Sequence, residues 1–413
     1  MSQPIPQPPG VPLLGNIFDV DPSNTWTSLK KLAEKYGEIF QISVLGHKLV
    51  FVAGAALAEE LCDEKRFRKF VGGPIVEIRA AAVADTFVDM RDTASELTRN
   101  WAGLGSGKNT IQLIEQLNRL NLEATTLALY GKKLNGLTGP PHPMLQAMED
   151  STSEAMKRPN RPGFLNRFFY GGKFTKSIRT MRGYAADVVE NRKANPGDHA
   201  RKDVLAALMN SSDPETGKAL TESQVIDEIV SMPIGSSTAP CCVTTAIYFL
   251  LKNPDKLAEA RKEVDTVLGK GEEFTYAHLS QLNYVEAIVR ETLRLSFAAP
   301  GFNIEPIPNP NDKSPIKLGG GRYEIAHNQA MIIVLAGVNR DPTLPLGVRR
   351  FYGNGKRECI GKHYAARWNV VALATLLRDV DFEMADPQYE LHQDGWFNLR
   401  PVDFFVKVKP RQA

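Results

Sequence analysis

The spacing of apolar residues predicts mostly helices between residues 55 and 297. The longest candidate helix spans residues 221–252, about thirty residues or ~45 Å, and begins with the capping-box pattern Thr-Glu-Ser-Gln. Pro233 and Pro240 lie inside this helix. Because a proline lacks the amide hydrogen and clashes with the preceding turn, we expect a kink or break around Gly235-Ser236-Ser237-Thr238.

The two ends of the chain carry the strand patterns. An N-terminal helix with Ser23 or Asn24 as its cap is expected to end at Gly37, followed by a hairpin of 39–45 and 48–52 around Gly46-His47. A helix over 279–295 precedes short strands that extend to Val338, and residues 396–401 with 404–408 are expected to form a closing hairpin. The pattern predicts one mainly helical domain over 1–413, with helices at about 55–297 and 360–380. Its small β region combines about 38–54 and 298–338 with 396–409.

Composition changes this interpretation little. With 50 basic and 47 acidic residues the net charge is only +3, which gives no sign of a nucleic-acid-binding surface. The four cysteines form no CxxC pair and no dense disulfide framework, so a reducing compartment fits best. The proline-rich N-terminus lacks a long apolar run, and we expect no transmembrane segment and a cytoplasmic location, peripheral to a membrane at most.

The sharpest chemical feature is the run Tyr-Gly-Asn-Gly-Lys-Arg-Glu-Cys-Ile-Gly at residues 352–361, which precedes an apolar helical pattern. Glycines let the backbone turn tightly, approach a flat ligand and leave amides free to face the Cys359 sulfur. Helix N-terminal amides and Arg357 add positive potential, which favours a thiolate. The alternative is a buried, inert cysteine.

This run resembles the haem-binding loop of cytochromes P450, usually Phe-Gly-x-Gly-x-Arg-x-Cys-x-Gly, with tyrosine replacing phenylalanine. The resemblance implies the mainly helical P450 fold and a haem cofactor (iron protoporphyrin IX) whose iron is ligated by Cys359. It also implies that Arg357 reaches a haem propionate. The haem-binding residues implied by this loop are Tyr352, Gly355, Arg357, Cys359 and Gly361.

Two further motifs support the resemblance. Glu291 and Arg294 have the Glu-x-x-Arg spacing of the family's K helix, and residues 339–342 are similar to its His-Arg-Asp-Pro; we interpret Glu291 and Arg294 as structural. The broken long helix resembles the family's oxygen-side helix, where Gly235 and Thr238 match and Ser237 replaces the carboxylate. The resemblance implies that Gly235 is a haem-binding residue. The resemblance implies that Thr238 and Ser237 are catalytic, with Thr238 serving a proton relay. The alternative for Thr238 is a hydroxyl bonded to the carbonyl four residues earlier in its own helix.

The chain resembles most the soluble fatty-acid-hydroxylase type, some members of which are fused to a flavin reductase, but it departs from that pattern. His47 and Phe51 stand where an arginine and a tyrosine can hold a fatty-acid carboxylate. No Trp-x-x-x-Arg/Lys/His pattern appears between Phe70 and Ala102, where the family's C helix normally binds a propionate. The connection between Pro342 and Tyr352 is also much shorter than the family's.

The resemblance implies hydroxylation of a small apolar molecule with dioxygen and electrons from a separate NADPH-dependent flavoprotein reductase. Ala299, Phe302 and Phe397 are the substrate-pocket candidates. Two alternatives remain open. One is a peroxide-using or atypical enzyme that catalyses a rearrangement or coupling, and the other is a degenerate, non-catalytic protein or an incomplete gene product.

Overall fold

The computed structural model describes residues 3–21, 24–44, 46–63, 66–69, 86–104, 109–158, 163–195, 201–210, 212, 217–269, 272–307, 309, 311–312, 314–327, 329–341, 351–353, 358–395 and 397–411. These residues belong to two compact units. The first unit comprises Met1–Val76 and Leu293–Lys362, and the second comprises Glu77–Thr292 and His363–Ala413. The expectation of a single domain stays a prediction.

Helices and strands follow one another along the described chain in this way. The helices are α1 (Thr25–Tyr36), α2 (Ala55–Glu60), α3 (Thr86–Ala102), α4 (Leu113–Tyr130), α5 (Pro143–Lys157), α6 (Gly163–Leu165), α7 (Gly171–Ala194), α8 (Val204–Asn210), α9 (Glu222–Ser236), α10 (Thr238–Lys252), α11 (Pro254–Leu268), α12 (Asn283–Leu295), α13 (Leu335–Val338) and α14 (Lys362–Asp379). The strands are β1 (Ile39–Val44), β2 (His47–Val52), β3 (Phe67–Lys69), β4 (Thr110–Gln112), β5 (Gly301–Pro306), β6 (Ile316–Leu318), β7 (Tyr323–Ile325), β8 (Met331–Val334), β9 (Val380–Met384), β10 (Gln393–Asp394), β11 (Arg400–Pro401) and β12 (Phe405–Pro410). A π-helical turn covers Asn166–Tyr170, and a 3₁₀ segment covers Tyr276–Gln281.

A five-stranded sheet with the order β1-β2-β8-β5-β3 organises the first unit. β1 and β2 form the predicted antiparallel hairpin, and Gly46 adopts the left-handed φ of +84° that its turn requires. His47 already belongs to β2 rather than to the turn. β2 pairs in parallel with β8, and β8 pairs antiparallel with β5, so strands from both sides of the helical region share one sheet.

The hydrophobic core of the first unit lies against this sheet. Phe40 and Phe51 stack with their ring centroids 5.2 Å apart, and both are buried. Leu29 and Leu32 of α1 are buried in the same core, as their helical spacing predicted. α1 ends before Gly37, whose φ is +93°, while the Asn24 side chain makes no capping hydrogen bond. Ser23 lies outside the described residues.

The second unit is mainly helical. α4 packs against α3, α5, α9 and α10, and the unit also contains a three-stranded sheet with the order β4-β12-β9. The predicted closing hairpin is wrong, because β12 pairs with β9 and β4 while β11 pairs with β10. β12 alternates buried and accessible positions, and its fully buried Val406 and Val408 favour a sheet with one face in the core. The strands at 400–410 therefore do not join the sheet of the first unit.

The helix predicted over 279–295 begins later than expected. A 3₁₀ segment ends at Gln281, and α12 starts at Asn283. The Glu263 carboxylate accepts hydrogen bonds from the backbone amides of Tyr284 at 2.7 Å and Val285 at 2.9 Å. Because the first amides of a helix lack partners within the helix, a carboxylate from α11 fixes this start.

One stretch in the described part of the chain, Glu222–Lys252, is long and apolar enough to cross a membrane. Of the most apolar 18-residue window in this stretch, 61% is buried inside the protein. A buried core helix has the same composition, so this stretch is accounted for by the fold.

Candidate functional site

The loop before α14 places Cys359 at the start of a helix. The Cys359 amide donates to the Tyr352 carbonyl at 2.8 Å, and Gly353 between them has a φ of +82°. The Lys362 amide donates to the Cys359 carbonyl at 3.2 Å and opens the first turn of α14. Gly355 and Arg357 of the predicted haem loop lie outside the described residues.

Exposure separates Cys359 from the other cysteines. Cys359 is exposed, Cys62 is half-buried, and Cys241 and Cys242 are buried in α10. Burial raises the pKa of Cys241 to about 12, and burial together with the Cys241 charge raises that of Cys242 even further. Since a metal-binding cysteine must be a thiolate, the two buried cysteines are poor ligands. Cys359 is not the buried, inert cysteine of the alternative interpretation.

The predicted break in the long helix is confirmed at Ser237, between α9 and α10. The Thr221 hydroxyl and Gln224 form the predicted capping box at the start of α9. Pro233 has no amide hydrogen, so the Ile229 carbonyl four residues earlier has no helical donor. The buried hydroxyl of Tyr130, on α4, donates to that carbonyl at 3.1 Å.

Ser237 and Thr238 lie half-buried at this break. The Thr238 hydroxyl donates to the Gly235 carbonyl at 3.1 Å, three residues back rather than the four that the alternative interpretation named. The Ser237 hydroxyl donates to the Ile234 carbonyl at 2.7 Å. The Asn398 amide nitrogen donates to both the Ser237 carbonyl at 3.0 Å and the Ser237 hydroxyl at 3.1 Å. Asn398 is a site residue that the sequence did not single out for this role.

A cavity of about 300 Å³ in the second unit opens beside the break. Its lining residues include Ser237, Cys241, Asn398, Arg400 and Glu149. Arg400 and Glu149 form an ion pair at 2.6 Å. The cavity therefore combines a charged pair with the polar groups of the helix break.

A separate polar cluster surrounds Ser236. Its hydroxyl accepts hydrogen bonds from the Asn121 amide nitrogen at 2.9 Å and the Thr125 hydroxyl at 3.2 Å, and Thr125 also contacts the Tyr364 hydroxyl at 3.2 Å. Burial raises the pKa of Tyr364, so its hydroxyl keeps its proton at neutral pH. This cluster links α4, α9 and α14 within the second unit, and apart from the polar residue types no sequence pattern predicts it.

The predicted structural motif occupies the end of α12. Glu291 and Arg294 lie on that helix with the expected i, i+3 spacing. In the first unit the Arg340 guanidinium donates to the Leu295 carbonyl at 2.5 Å, at the C-terminus of α12. The Asp341 carboxylate accepts from the Ala55 amide at 3.0 Å, at the start of α2. The Asn-Arg-Asp run thus connects two helix ends.

The substrate-pocket candidates differ in their surroundings. Ala299 is exposed and Phe302 is partly buried against the core, both in the first unit. Phe397 is exposed in the second unit. Phe51 is buried beneath its sheet, whereas His47 is exposed. Trp101 is a core residue in edge contact with Phe382.

The family model for cytochrome P450 matches residues 5–88 and 85–344 of this chain. The chain therefore belongs to the cytochrome P450 family, and the expected mainly helical P450 fold with small sheets is confirmed. The two matched segments overlap at residues 85–88, which lie within the range where the Trp-x-x-x-Arg/Lys/His pattern of the C helix does not appear.

Fungal proteins are among the similar relatives. The chain is 32% identical to a bifunctional cytochrome P450/NADPH–P450 reductase of Acremonium egyptiacum over 466 residues. It is 31% identical to a self-sufficient cytochrome P450 monooxygenase of Phanerodontia chrysosporium over 467 residues. These matches cover 100% of this chain but only 44% and 43% of the relatives, so the chain spans less than half of their length. Because the matched stretches exceed the 413 residues of this chain, the relatives contain positions that it lacks.

The described residues of the Cys359 loop are compatible with a haem held through this cysteine. The family's iron is ligated by a cysteine thiolate, and Cys359 offers an exposed sulfur on a glycine-containing loop. A Cβ atom added to Gly361 would lie 3.8 Å from that sulfur, so the glycine keeps the adjacent space open without being strictly required. Haem is thus the cofactor that the family implies and that the Cys359 loop suits.

Proposed function

We propose that this chain is the haem domain of a monooxygenase that hydroxylates a small apolar molecule. The main supporting observation is that Cys359 is exposed on a loop in which its amide donates to the Tyr352 carbonyl, while Cys241 and Cys242 are buried. When bound, haem would supply dioxygen activation, with the cysteine thiolate favouring O–O cleavage. Cys359 would hold the iron, and Arg357 would pair with a propionate.

The hydroxyl groups at the helix break would relay protons. The Thr238 hydroxyl lies one residue from Ser237, whose hydroxyl borders the cavity with Asn398 and Arg400. A serine has no acidity comparable to a carboxylic acid near neutral pH, so it passes protons only within a hydrogen-bonded chain. Water in the polar cavity can complete such a chain, because a water needs two to four polar partners and the lining supplies them.

The electrons would come from an NADPH-dependent flavoprotein reductase. The relative from Acremonium egyptiacum is a bifunctional cytochrome P450/NADPH–P450 reductase by its name. We propose that the reductase acts on this domain in trans; a fused reductase is the competing arrangement. Turnover of the 413-residue protein with an added reductase, NADPH and dioxygen tests the first arrangement. Turnover with peroxide alone would instead support the peroxide-using alternative, which the absence of an acid at Ser237 favours.

Absorption spectroscopy tests the ligand assignment. The haem-loaded protein, reduced under carbon monoxide, should show the red-shifted Soret band of a thiolate-ligated iron, and Cys359→Ala should abolish it. Cys241→Ala and Cys242→Ala are matched controls that should retain the band. A thiolate band that persists in Cys359→Ala would refute the assignment.

A second candidate is an incomplete or non-catalytic product. It is favoured by matched stretches of 466 and 467 residues in relatives of a 413-residue chain. An unpaired charge removed from water costs several kcal/mol, so a missing propionate partner should weaken haem retention. Haem transfer to apomyoglobin distinguishes the monooxygenase from the incomplete product. Rapid loss of haem from the chain would support the incomplete product if grafting a relative's residues before α3 and between 342 and 350 reverses that loss. Full retention by the chain as it stands would eliminate it.

A further inference from the structure

Two adjacent serines at the helix break have hydroxyl groups that already donate to the backbone of α9. The Ser236 hydroxyl donates to the Pro233 carbonyl at 3.0 Å. The Ser237 hydroxyl donates to the Ile234 carbonyl at 2.7 Å. Because a hydroxyl has a single hydrogen, any further side chain that bonds to either serine oxygen must be the donor.

Two asparagines are donors to these serine hydroxyls. The Asn121 amide nitrogen lies 2.9 Å from the Ser236 hydroxyl, and the Asn398 amide nitrogen lies 3.1 Å from the Ser237 hydroxyl. These bonds fix which end of each amide is the nitrogen, so the carbonyl oxygens point elsewhere. Neither carbonyl oxygen has a hydrogen-bond partner among the described residues, and Asn121 is only 2% exposed. We call Asn121 Oδ1 and Asn398 Oδ1 the acceptor pair.

Both asparagines line the cavity of about 300 Å³ beside the break. Pockets that bind small molecules have volumes of about 300–1,000 Å³, so this cavity has room for a small ligand. A buried amide oxygen without a donor is unfavourable, and a ligand that supplies the donor gains the corresponding hydrogen bond. The acceptor pair therefore calls for a ligand that donates hydrogen bonds.

The charged groups of the lining favour a cationic donor over an anion. Arg400 donates to Glu149 Oε1 at 2.6 Å, and Arg119 donates to the Gly139 carbonyl at 2.8 Å, so both arginines of the lining already bond to protein oxygens. Glu149 Oε2 has no hydrogen-bond partner among the described residues, and Glu115 adds a second carboxylate to the lining. Two carboxylates balance two guanidinium groups, which leaves no net positive charge to attract an anion.

We propose that this cavity binds the primary ammonium group of a small organic molecule, with the acceptor pair as its hydrogen-bond acceptors. An ammonium group has three donors and no acceptor, so it can supply both amide oxygens. A hydroxyl has one donor and two lone pairs, so it satisfies one oxygen and needs donors that Asn121 and Asn398 have already used. The Glu149 carboxylate offsets the cost of removing the cation from water. The site lies within the second unit and goes beyond the proposed function, since it requires neither haem nor turnover.

Titration of the full chain with butylamine at neutral pH, followed by saturation-transfer NMR of the ligand, tests the proposal. Any bound haem is kept reduced under carbon monoxide, so that the iron cannot take the amine. Butylamine should bind at least about tenfold more tightly than 1-butanol or butyrate, because a hydrogen bond to a charged group contributes about tenfold or more to a dissociation constant. This comparison of three ligands uses the wild-type chain and needs no variant.

Two variants test the acceptor pair directly. Asn121→Leu and Asn398→Leu each remove one of its oxygens and should weaken butylamine binding about tenfold. Asn369→Leu is the matched control, because Asn369 is also 2% exposed and has an unpartnered Oδ1 but does not line the cavity. It should leave the dissociation constant within about twofold, and circular dichroism melting should show that each variant is folded.

The proposal is overturned if butylamine does not bind to the wild-type chain or if 1-butanol binds as tightly. It is also overturned if the folded cavity variants bind butylamine as well as Asn369→Leu does. A chain that binds butylamine in this pattern but holds no haem would support the ammonium site and contradict the proposed function, so the two failures are distinguishable.

Discussion

Replacing Ser237 with glutamate should raise the share of electrons that end in product, provided the wild-type protein turns over with dioxygen. The serine stands where the family's carboxylate is expected, one residue before Thr238. It borders a cavity of about 300 Å³ that also contains Asn398 and Arg400. A carboxylate at this point could exchange protons with cavity water, which a serine hydroxyl near neutral pH does poorly.

The cavity has room for the larger side chain. Glutamate has three more heavy atoms than serine, about the volume of two water molecules or ~60 Å³, against about 300 Å³ available. The substitution removes the 2.7 Å hydrogen bond from Ser237 to the Ile234 carbonyl, which costs about 1 kcal/mol. The Asn398 amide and the Arg400 guanidinium face the same space and can stabilise a carboxylate. Arg400 already opposes the burial that raises the pKa of Cys241.

The assay is product formed per NADPH consumed with a saturating reductase. Ser237→Gln is the matched control, since it has the same shape and loses the same hydrogen bond but carries no acid. We expect Ser237→Glu to exceed both the wild type and Ser237→Gln, with thermal unfolding of the two variants alike. Equal coupling in Ser237→Glu and Ser237→Gln would refute the proton-relay reasoning, and no gain in either would favour peroxide or atypical chemistry.

Three further predictions concern buried groups of the second unit. Tyr130→Phe should lower the free energy of unfolding in urea by about 1–3 kcal/mol, because it leaves the Ile229 carbonyl without a donor. Adding Pro233→Ala should recover part of the loss, and purely additive effects in the double variant would contradict the role of Tyr130 as a replacement donor. Asp203→Asn should lower the free energy of unfolding by about 3 kcal/mol, because the Asp203 carboxylate accepts hydrogen bonds from the buried Arg192 guanidinium at 2.6 Å and 3.0 Å. The double substitution Arg192→Met/Asp203→Leu should lower it less than the single change. Burial raises the pKa of Cys241 from 9.0 to about 12, so folding favours the protonated thiol. The contribution of this thiol to stability is complete below pH 9 and declines as pH rises towards 12. Cys241→Ala should flatten the alkaline fall in melting temperature, and an unchanged slope would contradict the raised pKa of Cys241.

Local sequence signals predicted the features that depend on neighbouring residues. The capping box at Thr221, the turn at Gly46 and the helix end at Gly37 all follow from side chains or backbone conformations within a few residues. The break near Ser237 also follows locally, because two prolines lie close to it. The position of Cys359 before a helix was apparent from its glycine-containing motif.

Features set by distant partners could not be predicted in the same way. The start of α12 depends on Glu263 from a different helix, about twenty residues earlier. The pairing of β12 with β9 and β4, rather than with the nearby residues 396–401, depends on which faces reach the core. Periodicity reveals that a strand has a buried face but not which strand lies beside it.

The helix break shows why the candidate site depends on tertiary partners. Pro233 frees the Ile229 carbonyl, and a buried free carbonyl would be costly unless another donor reached it. Tyr130 supplies that donor from α4, and Asn398 supplies another to the Ser237 carbonyl from the segment before β11. The Ile229 carbonyl needs its donor because proline removes the helical one. The Asn398 amide adds a further donor to the Ser237 carbonyl, to which the Cys241 thiol also donates at 3.6 Å. The same Asn398 amide also contacts the Ser237 hydroxyl, so the group that stabilises the break orients the side chain that borders the cavity.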